Sequence, residues 1–344
     1  MAAGTERRPL PPGLDAPGLR PWLAERLPDL DLATARLIAG GRSNLTFEIG
    51  EGEAAVIVRR PPLGYVQGAA HDMGREHRVL SALAGSAVPV PRVIAYCRDE
   101  SVLDVPFLVM RKERGVVHRT LEDLRKVSQE DARTIGHELI DVLAAIHTVP
   151  WRRIGLDGFG RPDGYLARQV RRWRGQSAEV GEGERAQELG RLLQERLPRS
   201  GPPALVHGDY RIDNVLIDHV PGPVVGSVLD WEMSTIGDPL ADLGTFCMYW
   251  DGFSDLGLTV PTSPGALPGW PSRDELVARY AAACGAVPEN LGWYVAFGYY
   301  RIAVILDGVH RRHASGAVVG AGFDGIGAAV PHIIERGLDA LKRE

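Results

Sequence analysis

The apolar residues of this chain change their spacing about a third of the way along, and that change limits the folds open to it. Up to about residue 112 the apolar runs are short, rich in β-branched and aromatic residues, and bounded by Gly or Pro, the pattern of strands. Leu45 to Ile49 and Ala54 to Arg59 read as two strands joined by the hairpin signal Gly50-Glu51-Gly52-Glu53. Val93 to Tyr96 and Phe107 to Met110 read as two more, and Asp72 to Leu83 as a helix with Val79, Leu80 and Leu83 on one face. Beyond Arg111 to Gly115 the helical period dominates. Helices are expected from Ser128 to His147, Tyr165 to Trp173, Glu184 to Leu197, Pro239 to Tyr249, Ser272 to Cys284, Leu291 to His310 and Pro331 to Lys342. Three short β-type runs interrupt them, Ala204 to Val206, Asn214 to Ile217 and Val224 to Leu229. The class is therefore α+β: an arm and helix over 1–35, a small strand-rich lobe over 36–112, and a large, mainly helical lobe over 113–344.

Composition narrows the function classes. A length of 344 residues fits two domains or one large two-lobed one. With 44% hydrophobic and 24% charged residues the chain cannot be mostly disordered. A net charge of −5 argues against bulk binding of nucleic acid. No apolar run reaches the roughly 18 residues needed to span a bilayer; the best, Val295 to Leu306, is interrupted by Arg301. Met1 to Pro21 lacks the apolar core of a secretory leader and reads as a loosely ordered arm. Cys97, Cys247 and Cys284 are far apart and form no CxxC, so a reducing, cytoplasmic setting is expected. The sequence leaves the oligomeric state open.

The segment richest in chemistry is His207-Gly208-Asp209-Tyr210-Arg211-Ile212-Asp213-Asn214, followed sixteen residues later, at the end of an apolar run, by Asp230. Phosphoryl transfer needs a carboxylate to orient the attacking hydroxyl, oxygen ligands for Mg²⁺, and cations on the phosphates. An Asp and an Asn five apart on one loop can serve the hydroxyl and one metal. An Asp at a strand end supplies a second hard-oxygen ligand.

This spacing resembles the protein-kinase catalytic loop and its metal-binding Asp. In its HGD form it looks like the aminoglycoside phosphotransferase and choline kinase group, and Ile236-Gly237-Asp238-Pro239-Leu240-Ala241-Asp242-Leu243-Gly244 is similar to that family's GDPxxDLA segment. The resemblance runs from Ile38 to about Leu306. It implies a protein-kinase-like two-lobed fold using Mg²⁺ and ATP, with GTP not excluded. Asp209 would be the catalytic carboxylate, Asn214 and Asp230 the metal ligands, and His207, Asp238 and Asp242 structural neighbours of the site. Asp238, before Pro239, has the character of a helix N-cap.

The first lobe matches less closely. Gly40 to Asn44 stands where a phosphate loop belongs, with Gly41, Ser43 and Asn44 as nucleotide contacts, but it is not GxGxxG and also fits a plain hairpin turn. Val56-Ile57-Val58-Arg59 occupies the place of the kinase V-A-I-K strand with Arg for Lys, and Glu76 is its natural partner or else a solvated helix-face residue. That departure keeps open a catalytically inactive nucleotide- or metabolite-binding protein. Phe107 to Met110 would be the hinge, Met110 leading the backbone toward adenine. Arg211 either clamps the γ-phosphate or pairs with Asp213. Trp231-Glu232 after Asp230, and the lack of an APE-type segment, argue against a protein kinase.

The acceptor is read from Tyr165 to Arg174, similar to a run in the phosphotransferase domains fused to acyl-CoA dehydrogenases. Arg168 and Arg172, with Arg171 and Arg174, could meet CoA phosphates; the alternative is a solvated basic face with Trp173 in the core. From Trp231 onward 13 acidic residues face 8 basic ones, which keeps an aminoglycoside-like substrate in view. The expected function is ATP-dependent transfer of phosphate to the hydroxyl of a small molecule, a hydroxyacyl-CoA or an aminoglycoside-like antibiotic.

Overall fold

The computed structural model describes residues 9–38, 44–64, 72–180, 183–253, 255–256, 263–314 and 325–343. The chain packs as two units. The first comprises the residues up to Arg114 together with Ser227–Met233, and the second Gly115–Gly226 and Ser234–Glu344.

The first unit is built on a five-stranded antiparallel sheet. Its strands are β1 (Arg36–Leu37), β2 (Leu45–Ile49), β3 (Val56–Arg60), β4 (Val93–Cys97) and β5 (Phe107–Arg111), in the order β1-β2-β3-β5-β4. Alternation assigns the faces. Phe47 pairs with Val58 and Ile49 with Val56, and Val58 stands opposite Val109. These side chains point one way into a core shared with Leu14, Leu19, Leu23 and Phe107. Leu19 and Leu23 lie on α1 (Leu19–Arg26). The stretch expected as a loose arm is thus packed from Leu14 onward, Leu14 and Leu19 both being fully buried. Isolated leucines in a Gly/Pro-rich stretch carry no period, so only the sheet they cover reveals them.

β3 carries two adjacent arginines, and the pleat sends them to opposite faces. Arg60 turns toward the arm and donates to the Gly13 carbonyl at 2.8 Å. Arg59 turns the other way, toward α2 (Met73–Leu83). Asp72 caps α2 by accepting from the backbone N–H groups of Gly74 and Arg75. The short helix α3 (Glu100–Leu103) connects β4 to β5.

The second unit is mainly helical: α4 (Leu121–Arg125), α5 (Gln129–Thr148), α6 (Tyr165–Val180), α7 (Glu184–Glu195), α8 (Leu240–Asp251), α9 (Arg273–Cys284), α10 (Leu291–Ala314) and α11 (Ile326–Ala340). Ser128 and Ser272 cap α5 and α9 through their hydroxyls, as the sequence predicts. Pro331 was expected to open the last helix but lies inside α11, five residues after its start. Two short ladders interrupt the helices. β6 (Ala204–Val206) pairs antiparallel with β9 (Thr235–Gly237), and β7 (Val215–Asp218) pairs with β8 (Val224–Val228). β9 has no sequence signal, because Thr235-Ile236-Gly237 offers one apolar residue and ends on Gly, unlike the wholly apolar Ala204-Leu205-Val206 of β6.

α8 is buried along most of its length and crosses α10 closely. The approach is set by Gly244, where an added Cβ would stand 2.5 Å from the backbone and Cβ of Tyr294. Gly244→Ala must push two helices apart and should destabilise the protein by about 1–3 kcal/mol. The check is a drop in the urea or thermal midpoint; an unchanged midpoint would show that α8 can shift freely.

Candidate active site

The His207-Gly208-Asp209 turn follows β6 directly and is held by backbone rather than by side-chain packing alone. Asp242, in the first turn of α8, accepts from the His207 N–H at 2.6 Å and the Gly208 N–H at 2.9 Å. Gly208 itself has a φ of +91°, a conformation that favours glycine. The Gly208 carbonyl points the other way and accepts from Arg301 Nη2 at 3.0 Å. The fully buried His207 ring accepts from the Asp209 N–H through Nδ1 at 3.2 Å, which supports the turn from inside.

Asp209 is thereby presented with its carboxylate partly exposed, and Asn214 closes the loop onto it. The Asn214 Nδ2 donates to the Asp209 carbonyl at 2.8 Å and to its Oδ2 at 2.9 Å. Arg211 lies 3.2 Å from Asp213 and 3.6 Å from Asp209, with its guanidinium 4.8 Å from the centre of the Tyr249 ring. Arg211 is thus nearer to Asp213 than to Asp209.

Behind the loop, Asp242 is buried, and His147 bridges it to Tyr280, with Nε2 at 3.4 Å from Asp242 and Nδ1 at 2.7 Å from the Tyr280 hydroxyl. Burial opposes the Asp242 charge, but His147, His207 and the Gly208 amide outweigh it and hold the carboxyl below its usual range. Asp238 accepts from the Leu240 N–H at 3.0 Å and the Tyr294 hydroxyl at 2.9 Å, so it caps the entry to α8.

In the first unit, Arg59 gathers three carboxylates. Its Nε lies 3.0 Å from Glu76, and its Nη2 lies 2.5 Å from Asp230 and 3.6 Å from Glu232. Burial works against the guanidinium charge, but Glu76, Asp230 and Glu232 together raise its pKa. Burial pushes the Glu76 carboxyl up, with Arg59 opposing. Asn44, 2% exposed, donates through Nδ2 to Glu232 at 2.7 Å. Asp230 has a φ of +65°, a left-handed conformation that Asp tolerates better than most residues. Gly41 and Ser43 lie outside the described residues.

Met110 sits inside the sheet, opposite Ile57 on one side and Val93 on the other. The ladder continues beyond it, since the Arg111 N–H donates to Arg92 and the Lys112 N–H to Ala55. Strand pairing on both sides thus occupies β5 as far as Arg111. On α6, Arg168 donates to the carbonyls of Arg161 and Asp163 and closes the loop that opens the helix. Arg171 and Arg172 are exposed, and Trp173 is buried.

Sequence reasoning missed Arg301, Glu232, His147 and Tyr249. Arg301 left a usable signal, a lone cation in an apolar helical stretch. Glu232 was noted only as a departure from Phe-Gly. Among the described residues no group of three or more His, Cys, Asp or Glu side chains is arranged to hold a metal ion.

The fold and this loop define a class. The family model "Phosphotransferase enzyme family" matches residues 34–289, and the chain belongs to that family. It is 33% identical over 318 residues, 88% of its length, to mouse acyl-CoA dehydrogenase family member 10, but spans only 29% of that relative. A proposed aminoglycoside phosphotransferase of Ralstonia eutropha is 30% identical with a TM-score of 0.81, over 95% of this chain and 98% of that one. An aminoglycoside phosphotransferase solved with GDP and kanamycin shares the fold at 15% identity, with a TM-score of 0.61 over 94% and 97% of the two chains.

Asp242→Asn would place an amide where two backbone N–H groups need an acceptor, and should destabilise by about 1–3 kcal/mol. Because the folded pKa of Asp242 is depressed, its contribution is fully present above the ordinary carboxylate range and is lost as pH falls below it. Urea midpoints of wild type and Asp242→Asn should therefore differ at pH 7 and converge toward pH 3. A constant difference would refute the charge-based role.

Proposed function

We propose that this chain transfers the γ-phosphoryl group of ATP, or of GTP, to the hydroxyl of a small-molecule acceptor, with Asp209 as the catalytic carboxylate. The observation that carries the reading is the Asp209–Asn214 closure on a turn gripped by Asp242 and Arg301. It fixes a partly exposed carboxylate without engaging both of its oxygens in ion pairs.

Asp209 orients the hydroxyl and takes its proton as the acceptor oxygen bonds to the γ-phosphorus. The bond to the β-phosphate oxygen breaks, and the nucleoside diphosphate leaves. Each of the two proposed ligands, taken by itself, keeps an oxygen for a hard cation. Asn214 uses its nitrogen on Asp209, which leaves its amide oxygen as a ligand, and Arg59 contacts only one oxygen of Asp230. One guanidinium also offsets only part of the charge of Glu76, Asp230 and Glu232. Mg²⁺ typically binds through one or two protein oxygens and completes its shell with phosphates and water. When bound, it would neutralise charge developing on the transferred group. Arg59 forks between Glu76 and Asp230, so in this reading it anchors nucleotide phosphate as the usual Lys would.

For the acceptor we favour a hydroxyacyl-CoA over an aminoglycoside. The support is the identity over most of this chain to a protein named for acyl-CoA dehydrogenation, together with exposed Arg171 and Arg172 on α6. A polycationic antibiotic would meet Arg211 and Arg301 near Asp209.

Asp209→Asn keeps the size of the side chain but removes the proton acceptor, and turnover should fall about 10²–10⁴-fold with little change in nucleotide affinity. ³¹P NMR of Mg-ATP with hydroxyacyl-CoA and with kanamycin reads the transfer, and near-full activity in the variant would sink the assignment. Separately, calorimetric titration of Mg-ATP should show weaker binding to Arg59→Ala than to wild type. Equal affinity in the two proteins would remove the phosphate-anchor role, and no binding to wild type would favour an inactive relative.

A further inference from the structure

One face of α8 supports the loop around Asp209. Asp242, Thr245 and Tyr249 follow one another at intervals of three and four residues, the spacing that stacks side chains on a single helix face. Asp242 takes the His207 and Gly208 amides, and Thr245 accepts from Arg301 Nη1 at 3.4 Å. Tyr249, 8% exposed, lies under Arg211, whose guanidinium carbon stands 4.8 Å from the ring centre. Asp242 thus holds backbone of the loop, whereas Tyr249 holds one of its side chains.

The two oxygens of Asp209 show what that side chain does. Oδ2 accepts from Asn214 Nδ2 at 2.9 Å and lies 3.6 Å from Arg211 Nε. Oδ1 has no hydrogen-bond partner among the described residues, and the side chain is 28% exposed. A proton on Oδ2 would weaken both contacts there, whereas a proton on Oδ1 leaves both intact. Arg211 favours Oδ1 in this way only while it stays in place. An arginine loses many rotamers on being fixed, and ion pairs between partly exposed groups are weak. Its pair with Asp213 at 3.2 Å fixes one arm of the fork. The Tyr249 ring adds a flat second surface and attracts the cation through its quadrupole. The ring is braced in turn by Phe253, with ring centres 5.9 Å apart.

We propose that Tyr249 is a positioning residue, its ring holding Arg211 beside Asp209 Oδ2 so that Oδ1 takes the proton of the acceptor hydroxyl. As the proton moves to Oδ1, the acceptor oxygen bonds to the γ-phosphorus and the bond to the β-phosphate oxygen breaks. The proposal rests on the phosphotransferase reading of Asp209 and specifies the geometry of its base.

The test is a double-mutant cycle on the intact protein. Turnover of Mg-ATP is read by ³¹P NMR with water, a hydroxyacyl-CoA and kanamycin as acceptors. Tyr249→Leu and Arg211→Gln should each lower kcat about 10–100-fold, with the KM for Mg-ATP within about twofold of wild type. The double variant should lose no more than the worse single one, because the ring acts only through Arg211. Tyr249→Phe keeps the ring and should stay within about threefold of wild type. Losses that multiply in the double variant would mark Tyr249 as packing alone and overturn the proposal. Full activity in Tyr249→Leu, or a Tyr249→Phe as impaired as Tyr249→Leu, would overturn it too. If Tyr249→Leu does not fold, as judged by circular dichroism, Tyr249→Met replaces it in the cycle, being longer and equally without a ring face. The two readings fail differently. No turnover by wild type with any of the three acceptors would sink the phosphotransferase function and the proposal with it. Turnover with independent losses would sink the positioning role alone.

Discussion

The arrangement of the second unit depends on one buried carboxylate. Asp242 satisfies two consecutive backbone N–H groups, and the next step of the chain, through the left-handed conformation of Gly208, leads to the partly exposed Asp209. The first turn of α8 is a favourable place for the charge, because the helix dipole is positive there. Gly244 lets α8 lie against α10, and α10 delivers Arg301 to the opposite side of the same turn. The loop is thus gripped by its N–H groups from one helix and by its C=O from another.

In the first unit the equivalent constraint is the pleat of β3. Arg59 and Arg60 are identical in chemistry and adjacent in sequence, yet one is surrounded by carboxylates and the other is bonded to backbone carbonyls. A slip of one residue would exchange them and strand a cation in the apolar core. The packed arm therefore does more than bury leucines, since the Gly13 carbonyl fixes which arginine faces which side.

Much of this was legible from residues alone. The strand-then-helix change in period located most elements, and the caps at Ser128 and Ser272 fixed two helix starts. The five-residue spacing of Asp209 and Asn214 put them on one loop, but the hydrogen bonds by which the Asn amide reaches back to the Asp carbonyl and carboxylate were not legible in it. What escaped has physical reasons. β9 has a single apolar residue, Ile236, between a Thr and a Gly, so it forms no apolar run. The buried arm has leucines without periodicity, and Pro331 inside α11 inverts the usual rule for helix starts. His147 and Tyr280 support Asp242 from helices far away in sequence, and no local pattern encodes such a contact. The Arg59–Asp230 pair joins residues 171 positions apart, and spacing says nothing about it.

That last pair bears on how the protein comes into being. Residues Ser227–Met233 belong to the first unit, although the chain visits the second unit before returning to supply them. During synthesis the sheet can assemble early, but Arg59 then faces Glu76 without Asp230 or Glu232. At about 5–20 residues per second, the missing carboxylates arrive on the order of ten seconds later. Until then a guanidinium destined for burial lacks two of its three counter-charges. The first unit is thus the first to begin folding, yet it becomes electrostatically complete only after the loop carrying Asp209 has emerged.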